Sequence, residues 1–238
     1  MSENSLEKNP REFLIPSYGR RRDRGLSASQ KKLLTETYNI YGIELPKSVV
    51  NPRDFFENSV REVVVEIGFG HGEHLVECAK LAQDCGFIGC DPFENGVADA
   101  LAKIQENNLK NVKIFRGDAR HLLNLIEDNS IFRFYVLFPD PWTKNRHHKR
   151  RLLNAEFLNF LHQKTKDYGN AIIASDCREY MENVVHDIEQ NSSWDLFSND
   201  FNILKQAPAC FVPTKYQQKA LSSGKDCYYL GIYPFKNI

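Results

Sequence analysis

Residues 63–72 read V-V-V-E-I-G-F-G-H-G, an apolar, β-branched run that ends in three glycines. β-branched residues favour a strand, and glycines allow a tight turn with a close approach of the backbone to a ligand. The dinucleotide-binding fingerprint G-x-G-x-x-G is not matched, because Glu73 stands where its third glycine is required. The stretch therefore predicts the first strand and turn of an α/β fold without deciding what the turn binds.

Strand and helix patterns alternate along the rest of the chain, which predicts an α/β fold with a mostly parallel sheet and helices on both faces. Sheets of this kind bind ligands beyond the carboxyl ends of their strands. The predicted strands cover 63–67, 87–90, 112–115, 131–138, 171–175, 194–204 and 227–233. The predicted helices cover 27–41, 73–83, 94–107, 119–126, 154–165 and 178–190.

Carboxylates stand at the ends of the first three predicted strands, namely Glu66, Asp91 and Asp118. Asp91 follows Gly68 by 23 residues, a spacing at which a carboxylate can accept both hydroxyls of a ribose. Three acids suit a cationic, hydroxyl-bearing adenosyl ligand better than a pyrophosphate, and S-adenosylmethionine (SAM) is such a ligand. The alternative for each acid is a simple cap on the helix that follows its strand.

The stretch F-P-D-P-W-T-K-N-R-H-H-K-R-R (138–151) follows the fourth predicted strand and places Asp140 between two prolines, directly before Trp142 and a basic run. Residues 144–151 hold five Lys/Arg and no acid, and residues 11–32 hold seven Lys/Arg against two acids. The whole chain has 31 Lys/Arg and 31 Asp/Glu, so the remainder is acidic. Two concentrated basic patches predict a localised polyanion site, although a single run of this kind is usually a solvated charged loop.

Composition narrows the class of protein. The 238 residues are 42% hydrophobic and 26% charged, as in globular domains, and no apolar run is long enough for a transmembrane helix. The polar start, M-S-E-N-S-L-E-K, lacks the apolar segment of a signal peptide, so we expect a cytoplasmic protein with no membrane partner. Six cysteines without a C-x-x-C pair predict reduced thiols rather than a zinc site.

Two features predict the organisation around this fold. Residues 1–25 are polar and basic and predict a flexible N-terminal arm, followed by one domain over 26–238. Ser27 and Gln30 have the spacing of a capping box and predict the start of a first helix. His71 and His74 have H-x-x-H spacing on an early helical turn, but without further ligands we expect a solvated helix surface and no metal.

Several motifs together resemble the tRNA (guanine-N7-)-methyltransferases. The resemblance runs from about Tyr18 to the C-terminus, and the 138–151 stretch is its most specific part. It implies a class I methyltransferase (Rossmann-like) fold, with a seven-stranded, mostly parallel sheet and one antiparallel strand. It also implies methylation of guanosine N7 in the tRNA variable loop, with SAM as methyl donor. The motifs are V-E-I-G-F-G-H-G, G-C-D-P, G-D-A, F-P-D-P-W-x-K-x-R-H-x-K-R-R, A-S-D and P-T-K-Y.

The resemblance also implies roles for individual residues. The cofactor-binding positions are Glu66, Gly68, Gly70, Asp91, Asp118 and Asp140. The substrate-binding positions are Lys144, Asp176, Thr214, Lys215, Tyr216 and Gln217. The RNA-binding positions are Arg146, His147, His148, Lys149, Arg150 and Arg151. Two departures stand out: the family commonly has Glu where Asp91 and Gln217 stand here, and at 217 the change removes a charge.

Asp140 is the expected catalytic residue. Guanine N7 carries a lone pair and no proton, so positioning is expected to supply much of the rate. Positive charge appears on the purine during transfer, and a fixed carboxylate stabilises it. Asp176 is expected to accept from the N1–H and N2–H edge of guanine. Trp142 either stacks on a base or packs in the core.

Other functions remain open at this point. The chain would also suit a SAM-dependent methyltransferase of another RNA or of a small molecule, or a non-catalytic RNA-binding protein that retains the fold. An NAD-dependent oxidoreductase is disfavoured by the glycine spacing. Eukaryotic members of the family work with a WD-repeat partner, whereas bacterial members act alone, and we expect no obligate protein partner here.

Overall fold

A computed structural model describes residues 25–57, 59–191, 193–208 and 211–235. Its centre is a seven-stranded sheet with the strand order β3-β2-β1-β4-β5-β7-β6. The strands are β1 (Glu62–Ile67), β2 (Cys85–Cys90), β3 (Val112–Phe115), β4 (Ile131–Leu137), β5 (Thr165–Ser175), β6 (Trp194–Leu196) and β7 (Tyr228–Pro234). Strands β1 to β5 pair in parallel, and β7 runs antiparallel to both β5 and β6. The predicted class I sheet is therefore confirmed.

Helices fill the connections between the strands. They are α1 (Ala28–Lys32), α2 (Tyr38–Tyr41), α3 (Glu73–Leu81), α4 (Glu94–Glu106), α5 (Ala119–Leu123), α6 (Ala155–Lys164), α7 (Arg178–Asn191), α8 (Phe201–Leu204) and α9 (Lys215–Ser222). A π-helical segment, Leu33–Thr37, joins α1 to α2, so the first predicted helix is nearly continuous. None of the helices in the described ranges has the length and apolar character needed to cross a bilayer.

Hydrophobic packing on both faces of the sheet explains why the strands read as apolar runs. Every residue of β1 is buried, as expected for a central strand of a parallel sheet. One face packs Phe134 and Val136 against α6 and α7, with Tyr180 of α7 almost fully buried. The opposite face packs Leu75 of α3 and Leu101 of α4. Burying each such side chain stabilises the fold by about 1.5–3 kcal/mol before entropy is counted.

The strand order creates a crevice between β1 and β4. The chain winds outward from β1 to β3 and then returns to place β4 on the other side of β1, which is a topological switch point. In open α/β sheets, ligands bind at this point, beyond the carboxyl ends of the strands. The glycine turn after β1 and the 138–151 stretch after β4 therefore approach the same crevice.

Some predicted boundaries are wrong. The strand expected over 194–204 ends at Leu196, because Asp200 accepts a hydrogen bond from the backbone N–H of Asn202 (2.8 Å) and caps α8. The helix α9 was not predicted; it begins where the Thr214 hydroxyl accepts from the backbone N–H of Gln217 (3.0 Å). Such local side-chain caps start helices too short to show a clear hydrophobic period.

The start of the folded part agrees with its prediction. The Ser27 hydroxyl accepts from the backbone N–H of Gln30 at 3.2 Å, and the Gln30 side chain accepts from the backbone N–H of Ser27 at 3.2 Å. This reciprocal pair is the predicted capping box. The predicted flexible arm (1–25) lies, except for Gly25, outside the described residues.

Candidate active site

The turn after β1 is left-handed at all three glycines. Gly68, Gly70 and Gly72 have φ values of 74°, 58° and 77°, a region that side-chain-bearing residues rarely adopt. At Gly72 space is limiting too, because an added Cβ would lie 2.6 Å from the Cβ of Ala100 on α4. An added Cβ at Gly68 would meet no atom within 4 Å, so the turn faces open space there. The backbone can therefore form one wall of a ligand site.

Asp91, directly after β2, holds this turn in place. One carboxylate oxygen accepts from the backbone N–H of Gly70 (2.8 Å), and the other accepts from the backbone N–H of Phe93 (2.8 Å). The side chain is buried, and this burial raises the pKa of Asp91 to about 6 despite the two hydrogen bonds. Asp91 is therefore ionised at neutral pH and titrates just below it.

Glu66, near the end of β1, is paired with a histidine. His74 on α3 approaches the Glu66 carboxylate with 2.8 Å between Nδ1 and Oε2, and both side chains are buried. Burial acts to lower the pKa of His74, but Glu66 and Cys78 outweigh it and raise that pKa to about 10. The expectation of a solvated helix surface is wrong for His74. It holds no better for His71, whose Nδ1 lies 2.6 Å from Asp99 and whose ring is only partly exposed.

Asp118, which follows β3, both caps a helix and pairs with an arginine. Its carboxylate accepts from the backbone N–H of Arg120 at 3.0 Å and from the Arg120 guanidinium at 2.9 and 2.6 Å. Burial acts to raise the pKa of Asp118, but these contacts hold it below its ordinary value. Asp118 therefore does cap the helix that follows its strand, which was the alternative to a ligand-binding role in the sequence. Glu66, Asp91 and Asp118 are called the acidic cluster below.

The T-K-Y segment (Thr214–Tyr216) lies across the glycine turn. Lys215 forms an ion pair with Glu73, the first residue of α3, with 2.5 Å between Nζ and Oε1. Residues 214–216, the turn, α3 and Leu137 of β4 enclose a narrow cavity of about 20 Å³. Glu66 and His74 form part of its wall. The structure thus brings predicted cofactor-binding and substrate-binding residues together.

The backbone around Asp140 is unusual. Phe138 and Trp142, on either side of it, have φ values of 52° and 43°, a conformation that costs energy for large side chains. The backbone N–H of Phe138 donates to the carbonyl of Ala174 on β5 at 2.7 Å, which anchors the start of the turn. Backbone strain of this kind persists where the surrounding structure enforces it and is concentrated at functional sites.

Asp140 is exposed and lines an open cleft of about 430 Å³ together with Trp142, Lys144 and His147. The half-buried Trp142 ring contacts cationic or polar side chains of its own segment. The guanidinium of Arg150 lies 5.0 Å from the ring centroid, and His147 meets the ring edge-on with centroids 5.7 Å apart. Trp142 therefore lies at the surface of the cleft rather than in the main core.

The basic stretch, defined here as residues 144–151, forms a 3-10 helix over Asn145–Arg150 instead of an irregular loop. Lys144, Arg146 and Lys149 are exposed, whereas His147, His148 and Arg150 are half-buried. Desolvation and the surrounding cations lower the pKa of His147, so that ring is neutral at pH 7. At neutral pH the His147 ring therefore adds no charge to that of the lysines and arginines in the stretch.

Arg151, which is predicted to bind RNA, is the buried cation of the basic stretch. Its side chain is buried, with only 5% of the residue exposed. Its guanidinium donates to the Pro141 carbonyl (2.8 Å) and to both oxygens of Glu179 (3.1 and 2.6 Å), and it lies 4.8 Å from the Tyr180 ring centroid. Arg151 therefore ties the turn after Asp140 to α7, and its guanidinium is not exposed as those of an RNA-binding face are expected to be.

Two predicted substrate-binding side chains already have partners. Asp176, directly after β5, accepts from Lys225 at 2.7 Å. The buried Gln217 amide donates to the Tyr229 hydroxyl on β7 at 2.5 Å, and its carbonyl oxygen is buried with no hydrogen-bond partner in the described residues. Hydrogen bonding at 217 is thus retained without the family's usual charge.

Sequence reasoning missed the partners that hold these groups, namely His74, Arg120, Lys225 and Tyr229. For His74 and Arg120 a signal existed, because each lies a few residues after a strand-end acid. Lys225 and Tyr229 pair with residues distant in sequence and gave no signal. In the described ranges, no three His, Cys, Asp or Glu side chains are placed to share a metal ion.

Comparison with known proteins gives a consistent result. The model of a putative methyltransferase family matches residues 60–230. The tRNA (guanine-N(7)-)-methyltransferase of Wolbachia pipientis wMel is 37% identical over 194 residues, which cover 80% of this chain and 85% of that protein. A bifunctional methyltransferase of Rickettsia typhi is 37% identical over 214 residues. Those residues are 90% of this chain but 39% of the relative, so the chain spans about two fifths of that longer protein.

A search of solved structures supports the fold. An antibiotic-related methyltransferase superimposes with a TM-score of 0.51 at 18% sequence identity, covering 89% of this chain and 97% of that one. At this identity the likeness concerns the fold alone. It agrees with the class I sheet described above.

Proposed function

Since this chain belongs to the tRNA (guanine-N7-)-methyltransferase family, we propose that it transfers the methyl group of SAM to N7 of a guanosine in the variable loop of tRNA. One observation carries the proposal. The glycine turn after β1 and the exposed Asp140 with its basic stretch after β4 lie at one switch point, because β1 and β4 are adjacent strands. The acidic cluster extends from Glu66 in β1 to Asp91 after β2 and Asp118 after β3 on the same side of that point. A nucleoside-like cofactor and a polyanionic substrate can therefore be held side by side.

The class I fold implies SAM as cofactor, which when bound supplies an electrophilic methyl group on a sulfonium. The residues present suit it. The turn is open at Gly68, and Glu66 and Asp91 offer buried carboxylates beside it. In our proposal Asp91 accepts hydrogen bonds from the ribose hydroxyls, and the hydrogen bond that it accepts from Gly70 fixes the position of the glycine turn relative to the ribose. Asp118 acts mainly by fixing the start of α5 through Arg120, because its oxygens are engaged there.

Asp140 is the proposed catalytic residue. Guanine N7 needs no deprotonation, so the side chain has no proton to remove. Its carboxylate would stabilise the positive charge that develops on the purine, and a charge fixed in advance is more effective than one that must reorganise. Pro139 and Pro141, with the left-handed Phe138 and Trp142, restrict the backbone on both sides. This restriction supports a role in which position matters more than pKa.

The guanine is proposed to bind between this turn and the segment after β5. Asp176 would accept from the N1–H and N2–H edge, which distinguishes guanine from adenine, in exchange for its present ion pair with Lys225. In the bound state, Thr214, Lys215 and Tyr216 would cover the site. Gln217, through its hydrogen bond to Tyr229, would anchor the end of that segment at α9. Because the cavity beneath the segment is narrow, binding is expected to move residues 214–216 outward and to break the Lys215–Glu73 pair.

RNA phosphates are proposed to bind to the exposed side of the basic stretch. Lys144, Arg146 and Lys149 are exposed there, and His147 lines the cleft, whereas His148 and Arg150 are half-buried. Such contacts position RNA without reading its sequence. Arg151 has no part in this proposal, because its guanidinium is buried against Glu179.

The proposal is tested with the purified chain alone, since we propose no obligate protein partner. Unmodified tRNA is incubated with isotopically labelled SAM, and the methylated nucleoside and its position are identified by mass spectrometry after nuclease digestion. We expect label in N7-methylguanosine of the variable loop. Label in another nucleoside, or in ribosomal RNA but not in tRNA, would contradict the substrate. Activity that appears only after a cell extract is added would contradict the absence of a partner.

A further inference from the structure

We propose that His74 is a positioning residue for cofactor binding, acting through Glu66: as an imidazolium it holds one carboxylate oxygen and leaves the other for a donor group of SAM. The inference rests on the proposed function, because it assumes that Glu66 faces the cofactor. It adds a residue from the first turn of α3 to a site otherwise built from strand ends.

The contact is short and inaccessible to water. Nδ1 of His74 lies 2.8 Å from Oε2 of Glu66, and the two side chains are 1% and 4% exposed. The second oxygen, Oε1, makes no hydrogen bond to any residue of the described ranges. Both residues form the wall of the cavity beside the glycine turn. One half of the carboxylate is therefore engaged and the other half is left for a ligand.

The imidazole ring cannot easily turn away from this contact. Its ring centroid lies 4.5 Å from that of Tyr135 at an interplanar angle of 72°, and 5.4 Å from that of Phe211. On the far side, Nε2 lies 3.5 Å from the sulfur of Cys78. Packing on three sides fixes the ring, and the ring in turn fixes the rotamer of Glu66.

Two titratable groups that face the ring favour its charged form, namely the carboxylate of Glu66 and the thiol of Cys78. Tyr135 is the third titratable group in contact, through its ring. No cation faces it among these contacts. Burial penalises an imidazolium, but the adjacent buried carboxylate compensates, and removing the ring would leave the Glu66 carboxylate without its partner. Without the ring, the Glu66 carboxylate would also lose the contact that fixes its orientation toward a ligand.

The test is a double-mutant cycle read by calorimetry with S-adenosylhomocysteine as the probe. We expect His74→Leu to raise the dissociation constant roughly tenfold, the loss expected for one charge-assisted hydrogen bond. His74→Asn keeps a neutral donor and is expected to lose less. In a Glu66→Gln background, His74→Leu should have less than about a twofold effect. His162→Leu, on α6 against Trp194, is the matched control and should bind as the parent does.

The outcomes separate this inference from the proposed function. If the parent chain does not bind the probe, the proposed function fails. If the parent binds but His74→Leu weakens binding equally in both backgrounds, or not at all, the positioning role is wrong. Should His74→Leu fail to fold, ¹⁵N NMR of the parent chain decides: both ring nitrogens of His74 should be protonated at pH 7.5, and a neutral tautomer there would overturn the inference.

Discussion

The two halves of the crevice are built in opposite ways. On the β1 side, the carboxylates of the acidic cluster are buried or nearly so, and each has a partner from its own chain: His74, two backbone N–H groups, or Arg120. On the β4 side, Asp140 and most of the charged groups of the basic stretch are exposed, and the backbone there is strained at two non-glycine residues.

This difference fits the size of the two proposed ligands. A small cofactor is bound best by groups that are already oriented, because few contacts must overcome the entropy of binding. A tRNA brings many phosphates, so exposed cations can bind it without a preformed pocket, and each contact contributes through counterion release. We therefore predict that substitutions on the β1 side change cofactor binding. Substitutions on the β4 side should change catalysis or RNA binding, except at the buried Arg151, where they should change stability.

The largest effect is expected at Asp140. Asp140→Ala should reduce the rate of methyl transfer at least about a hundredfold, as for other preorganised charges near a reacting group. Binding of tRNA, measured by filter retention, should stay within about twofold, since the residue carries no positive charge. Asp54→Ala, an exposed acid in the 3-10 helix before β1, is the control. Full activity of Asp140→Ala would remove the residue from the mechanism.

The next effect distinguishes two cations of the basic stretch. Arg151→Ala should lower the free energy of unfolding by about 1–3 kcal/mol, because it leaves the Pro141 carbonyl without its donor and removes the buried guanidinium from the Tyr180 ring. The exposed Lys149→Ala is the matched control and should leave urea denaturation almost unchanged. If Arg151→Ala instead keeps its stability and loses affinity for tRNA, the original RNA-binding assignment is right after all.

A smaller effect is expected from the exposed cations. The double variant Arg146→Ala/Lys149→Ala should weaken tRNA binding and flatten its logarithmic dependence on salt concentration by roughly 0.7–0.9 per lost phosphate contact. The affinity for S-adenosylhomocysteine should not change. Lys110→Ala/Lys113→Ala, around the start of β3, gives a control with the same loss of charge. An unchanged salt slope in the test variant would show that this face does not bind phosphates.

The smallest effect concerns pH on the β1 side. Because the pKa of Asp91 is raised to about 6, its carboxylate becomes protonated as the pH falls from 7 to 5. If the ionised form binds the cofactor, the dissociation constant of S-adenosylhomocysteine should rise by about tenfold over that interval. Asp91→Asn should bind more weakly at pH 7 and lose most of this pH dependence. A flat profile for the parent chain would show that protonation of Asp91 does not affect binding.

The sequence by itself determined that the sheet is mostly parallel and that the candidate site lies beyond the carboxyl ends of its strands. Strand β1 could be predicted because a strand that is buried on both faces is a continuous apolar run. The turn after it could be predicted because its glycines adopt backbone conformations that residues with side chains rarely adopt. The acids, F-P-D-P-W and the basic stretch were readable as motifs. Family membership followed from these motifs and is confirmed by the relatives.

Only the tertiary structure decided which charged groups are free. Arg151 and Lys149 look alike in the sequence, yet Arg151 is buried between Pro141 and Glu179 of α7, whereas Lys149 is exposed. His74 looks like a surface residue in the sequence, but its ring is buried against Glu66 of β1 and Tyr135 of β4. Hydrophobic periodicity records which face of an element is buried, whereas the partner of a polar side chain depends on contacts between distant segments, and those exist only in the folded chain.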